Sequence, residues 1–224
     1  MLNFVHDQFL NETVMPWDRL SVKLARPISV DPQTSTLVAE AGAVLTALRH
    51  APERFGWPQK GAALHKAVVA EFNQHALITD AADSWKHGAL KDPQRQTTFS
   101  VKSQFLLDCK GRSRFLRNII HLQHATLGEF DFLYISRLAI CFWLHRQNVA
   151  LAWTGVIFEG ADVFRNEALL ASSPGIQVLQ RAARISFVAL DTQGALVPVS
   201  PGSHTFAVVD AQFLLEQEPI PSSL

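Results

Sequence analysis

Apolar residues recur at three- and four-residue spacing in three stretches of the chain, and each stretch predicts a helix. In the first, over about 35–50, Leu37, Val38, Ala41, Val44, Leu45 and Leu48 form one stripe behind the capping run Asp31-Pro-Gln-Thr-Ser-Thr. The second and longest runs from Ala63 to Gly88, with Leu64, Val68, Phe72, Ile78 and Ala82 on its apolar face, Trp85 near its end and Gly88 at the expected C-cap. Pro52, Gly56 and Pro58 break the chain between the two, and so short a connection predicts an antiparallel helix hairpin. In the third, Phe132, Ile135, Leu138, Ala139 and Phe142 predict a largely buried helix over about 129–147, packed on that hairpin.

Between the second and third helices the period changes to two. Phe99, Val101, Ser103, Phe105 and Leu107 alternate with more polar neighbours, Asp108-Cys-Lys-Gly supplies a turn, and Leu116, Ile120 and Leu122 share one side of the next run. This predicts a β-hairpin over about 97–124, turning near Gly111, although Phe115, Ile119 and Leu122 leave a helix open for the second arm.

The ends of the chain are less regular. Residues 1–33 are punctuated by Pro16, Pro27 and Pro32; Leu20, Val22 and Leu24 alternate as in a short strand, and Ile28 and Val30 suggest another. Phe4, Phe9, Leu10 and Trp17 make this a packed arm rather than a disordered tail. In the mixed region 149–224, Val149–Phe158 reads as a strand, Ala161–Ala171 and Gly175–Ala183 as short helices, Arg184–Leu190 and Thr205–Val209 as strands, and Pro219–Leu224 as a polar tail. The expected class is α+β: a helix hairpin, a β-hairpin and a third long helix over 34–148, then short helices and antiparallel strands, in one continuous domain or with a boundary near 150.

Composition narrows the function classes. The 224 residues are 48% hydrophobic, enough for a core without staples, and twenty basic against twenty acidic residues leave no global field for nucleic acid or an anionic membrane. The N-terminus lacks a targeting pattern, Asp131, Ser136 and Arg137 interrupt the most apolar helix, and two distant cysteines suggest no disulfide framework, so a cytoplasmic protein without membrane contact is expected. Nucleophile-elbow, P-loop and dinucleotide motifs are absent, and no cofactor is implied.

Candidate chemistry gathers in three places. Glu71 and His75, four apart, form a candidate metal pair; Asp83 and His87 form a second pair twelve residues on, about 18 Å along a helix and too far to share one ion. With Asp80 and Lys86, that second pair makes an end cluster, the first place to seek a polar site, although Lys86 and His87 also suit the dipole of a helix C-terminus. Lys110, Arg112 and Arg114, near Arg117, crowd the hairpin turn as candidate phosphate contacts, and a solvated turn explains them equally well.

Two resemblances follow from these residues. Arg117-Asn-Ile-Ile-His-Leu-Gln-His124 resembles the R-x(4–6)-H signature of HEPN ribonucleases, with Asn118 matching the polar residue after the arginine. The resemblance implies metal-independent RNA cleavage by Arg117 with His121 or His124, provided that the segment is helical; on a strand, Arg117 and His124 face opposite ways. Asp80-Ala-Ala-Asp-Ser-Trp-Lys-His-Gly, followed by a two-stranded element and then Phe130-Asp-Phe-Leu to Cys-Phe-Trp143, resembles a group of uncharacterised bacterial proteins whose helix ends in a D-x-A-x-x-x-K-H-like signature. It covers about Ala62 to Asn148, supports the architecture and carries no activity. The leading expectation is a non-enzymatic interaction or accessory module with a protein partner or self-association. Its rivals are a HEPN-like ribonuclease or nucleic-acid-associated enzyme, and a metal-binding helical protein.

Overall fold

In a computed structural model, which describes residues 4–27, 33–149, 151–160, 162–172 and 184–210, the chain is α+β and divides into two compact units. One comprises residues 1–21, 37–100 and 120–157, the other residues 22–36, 101–119 and 158–224.

The N-terminal arm is helical. A helix α1 (Phe4–Phe9) runs through a π-helical stretch (Leu10–Val14) into α2 (Met15–Leu24). The strand expected at Leu20–Leu24 is therefore corrected: Phe9, Val14, Trp17, Leu20 and Leu24 are buried at helical spacing, whereas Val22, which suggested alternation, is 42% exposed. Trp17 is fully buried and its Nε1 donates to Ser136 Oγ at 2.8 Å, satisfying the one polar atom of the indole. The second strand suggested at Ile28 and Val30 lies outside the described residues.

Helix α3 (Gln33–Arg49) and the short α4 (Ala51–Arg54) precede the stretch read as one long helix, which is two: α5 (Gly61–Glu71) and α6 (His75–His87). The break falls at Phe72, whose backbone is extended (φ −143°, ψ 93°) and whose ring stacks on Phe142 at 4.8 Å. Asn73-Gln74 then turns the chain, with His75 N donating to Phe72 O. Gly88 caps α6 at φ 72°, a conformation that favours glycine. Across the helix pair, Trp85 lies over Gly42 of α3: a Cβ there would fall 2.2 Å from the indole, so the missing side chain sets the approach. Helix α7 (Phe132–Arg146), N-capped by Asp131, packs on this layer through Phe142 and through Trp143, which stacks on Phe55 at 5.5 Å.

Strands β1 (Thr97–Leu107) and β2 (Ser113–His124) form the expected hairpin, turning at Gly111 (φ 74°). Strand β3 (Gly128–Asp131) pairs antiparallel with the end of β2. Beyond α7 the reading needs correction: residues 151–160 form no strand, and β4 (Glu167–Ser172) stands where a short helix was expected. Strands β5 (Arg184–Leu190) and β7 (Thr205–Asp210) match the strand expectations, and β6 (Leu196–Val199) is an addition. Only β6 meets β5 antiparallel; β5 runs parallel to β1, and β4 to β7, since long connections let distant segments pair side by side. The larger sheet has the order β3-β2-β1-β5-β6. Phe105, Ala168, Leu170 and Phe187 form the core of the second unit. The helix expected at 175–183 and the tail at 219–224 lie outside the described residues.

Gly42→Ala is expected to push the Trp85 ring outward and destabilise the protein by about 1–2 kcal/mol, the usual cost of overpacking. Urea denaturation measures the loss, and Gly42→Ala combined with Trp85→Leu should recover part of it.

Candidate functional site

The first unit concentrates its ionisable groups around α6. Asp80 and Asp83 lie one turn apart, so both carboxylates point to the same side. They meet Arg95, on a 3-10 turn (Pro93–Arg95) capped by Asp92, whose Oδ1 accepts from Gln94 N. This turn is fastened to the end of α6: Gln96 Nε2 donates to Gly88 O at 2.8 Å and Thr97 N to Ser84 Oγ at 2.9 Å. The guanidinium then forks, Nε donating to Asp80 Oδ1 at 2.7 Å and Nη2 to Asp83 Oδ2 at 3.1 Å. Arg49 Nε, from α3, lies 2.9 Å from the other oxygen of Asp83.

His124, 3% exposed, completes the set. Its Nδ1 accepts from Thr126 N at 3.2 Å and Leu127 N at 3.1 Å, which places the ring proton on Nε2, 3.2 Å from Asp80 Oδ2. An Asp–His pair of this kind can orient a general base, but here the nitrogen that would take a proton is held by the backbone. The same reasoning extends the network outward: Arg49 Nη1 donates to His50 Nε2 at 3.0 Å, so His50 Nδ1 carries the proton facing Glu53. Seven side chains, Glu53, His50, Arg49, Asp83, Arg95, Asp80 and His124, thus form one polar chain.

Beside this chain lies a cleft of about 570 Å³. Arg49 and Glu53 line it from α3 and α4, Ala62 and His65 from α5, His75 and Asp83 from α6, and Arg95 from the 3-10 turn. His75 is 3% exposed, its ring centroid 5.9 Å from that of His65. Burial first, then the charges of His65 and Arg49, pushes its pKa down to about 4, so it is a neutral imidazole near pH 7.

The sequence candidates separate accordingly. Asp83 enters the network and the cleft, whereas Lys86 and His87, in the last turn of α6, are exposed and do not line the cleft. Glu71 and His75 do not make a one-helix metal pair: the break at Phe72 separates them, Glu71 is paired with Arg146, and Arg146 lies 4.0 Å over the Trp57 ring. Among the described residues no group of three or more His, Cys, Asp or Glu is placed to hold a metal. Residues 113–124 are a strand whose even-numbered side chains from Leu116 to His124 are buried, so Arg117 faces away from His124 and the two do not converge. His121 lies on the Arg117 side and meets Glu129 at 2.7 Å, while Asn118 is fully buried, accepting from Ser103 Oγ and donating to Arg26 O.

In the second unit the basic turn is largely neutralised. Arg112 pairs with Asp108, and Arg114 with Asp162 at 2.9 Å and Glu159 at 3.6 Å, while Lys110 is exposed. Sequence reasoning missed Arg49 and Arg95 altogether. The capped run Asp92-Pro-Gln-Arg, directly after Gly88, was the available signal for Arg95.

Arg95→Ala is expected to cost about 3 kcal/mol by leaving the Asp80 carboxylate poorly compensated, and Arg95→Lys to restore only part of it, since an ammonium cannot fork. Thermal or urea unfolding of the two variants checks both. For His75 the folded pKa lies below the ordinary 6.5, so from pH 6.5 down to about 4 the unfolded chain binds the proton that the folded chain refuses, and stability falls as pH falls. Urea unfolding across that window should show a flatter slope in His75→Phe than in the wild type. Compared with family models, curated proteins and solved structures, the chain matches none.

Proposed function

We propose that the protein is a non-enzymatic interaction or accessory module, working by binding rather than turnover. One observation carries this reading: the His124–Asp80 pair, the arrangement nearest to an acid–base dyad, already has internal partners, with Nδ1 of His124 accepting from two backbone N–H groups and Nε2 facing Asp80. A general base needs a free lone pair within reach of a substrate proton, and His124 has none. Asp80 and Asp83 are likewise engaged by Arg95, Arg49 and His124, an arrangement that suits holding α6 in place. Exposed apolar side chains in the same unit, Leu127 at 53% and Tyr134 at 54%, are material for contact with a protein partner or a second copy. No described helix is long and apolar enough to cross a membrane.

A HEPN-type cleavage would need Arg117 and His124 to act on one phosphodiester, and their opposite faces of β2 offer no support for it. The test incubates the protein with single-stranded RNA and with a chromogenic phosphodiester, with and without Mg²⁺ or Zn²⁺. Wild type, Asp83→Asn and His124→Gln should all give the same background, while His124→Gln loses stability. Turnover by the wild type that disappears in either variant would overturn the reading.

A further inference from the structure

The cleft beside α5 has a feature that the polar chain does not use. Helix α5 begins at Gly61, whose positive φ of 57° turns the chain into the helix, and the preceding Lys60 supplies no side-chain cap. The first backbone N–H groups of an α-helix have no intrahelical acceptor and carry the positive end of the dipole. Gly61 and Ala62 line the cleft at this end, and both are exposed.

A second observation, independent of the helix, points to the same place. His75 lines the cleft from α6, is 3% exposed, and its Nδ1 is buried with no hydrogen-bond partner among the described residues. Buried ring nitrogens are ordinarily hydrogen-bonded, so this one marks a position that a bound polar group can satisfy.

Charge decides the class of ligand. Two carboxylates, Glu53 and Asp83, also line the cleft, but Asp83 sits between Arg49 and Arg95, and Glu53 faces His50. The charges felt at His75 are those of His65 and Arg49, both positive when ionised. The surroundings of His75 thus present donors and positive potential, the setting in which helix N-termini hold oxyanions. We propose that this cleft binds a small oxyanion, the carboxylate or phosphate group of a small molecule, between the N-terminus of α5 and the His75 imidazole, with Arg49 supplying charge. The inference goes beyond the accessory reading and does not depend on it.

The experiment titrates the full chain with inorganic phosphate and, separately, with acetate, following heat by calorimetry and the His65 and His75 imidazole signals by NMR. At least one of the two should bind saturably at one site and shift the His75 signal; phosphate alone would mean a phosphate ligand, acetate alone a carboxylate, and both the shared oxyanion chemistry. Ala62→Glu places a tethered carboxylate in the first turn of α5, where the dipole favours it, so the variant should fold normally and bind at least tenfold more weakly. His75→Gln should weaken binding several-fold, and Ala62→Glu keeps the test valid should His75→Gln fail to fold. No saturable binding of either anion, or binding that Ala62→Glu leaves unchanged, would overturn the proposal.

Discussion

Asp80 is 7% exposed, and a carboxylate at that depth is costly to bury unless cations and donors surround it. Compensation comes from two directions: the Arg95 guanidinium reaches Oδ1 and the His124 imidazole reaches Oδ2, while Arg95 in turn is held by Asp83, itself paired with Arg49. Each partner stands on a different element, so satisfying one charge draws α3, α6, the 3-10 turn and the end of β2 together. The backbone staples from Ser84, Gly88 and Gln96 keep the turn where its arginine can fork. A network of this kind is weak evidence for net stability but strong evidence for a defined geometry, since removing one partner strands the others.

The second unit follows the same logic on a smaller scale. Arg114 is drawn from the hairpin to Glu159 and Asp162 and also lies 5.8 Å over the Phe164 ring, so a run of basic residues becomes the anchor for a loop. Asn118 is buried because its amide joins Ser103 of the neighbouring strand to the backbone of Leu24 and Arg26. Residues that attract attention as chemistry in a linear string serve here to satisfy buried polar atoms. His75 differs from these: its Nδ1 is among the buried side-chain atoms of the described residues that have no hydrogen-bond partner.

Much of the fold was legible because periodicity reports burial directly. The α3 stripe, the alternation of β1, the cap at Gly88 and the α7 stripe each follow from spacing alone. Three places were not legible. Leu20, Val22 and Leu24 fit a strand until Phe9, Val14 and Trp17 are seen to share the buried helical face of Leu20 and Leu24, with Val22 outside it. Phe72 fits the stripe of one long helix, and only its stacking on Phe142, seventy residues on, accompanies the break. Ala161–Ala171 lacks a decisive period, and its strand exists because β7 lies beside it.

The end of α6 was identified from its density of ionisable groups, and Asp80 and Asp83 do lie at the centre of the candidate site. The sequence by itself determined α3, the β1–β2 hairpin and α7, and that Asp80 and Asp83 share a helix face, because helix geometry relates residues three and four apart. It also determined that Arg117 and His124 part company once residues 113–124 form a strand. Only tertiary structure decided that Arg49, Arg95 and His124 close on those carboxylates while Lys86 and His87 stay outside, since partners far apart in sequence meet only through packing. It also decided that His75, broken away from Glu71, lines the same cleft as the first turn of α5.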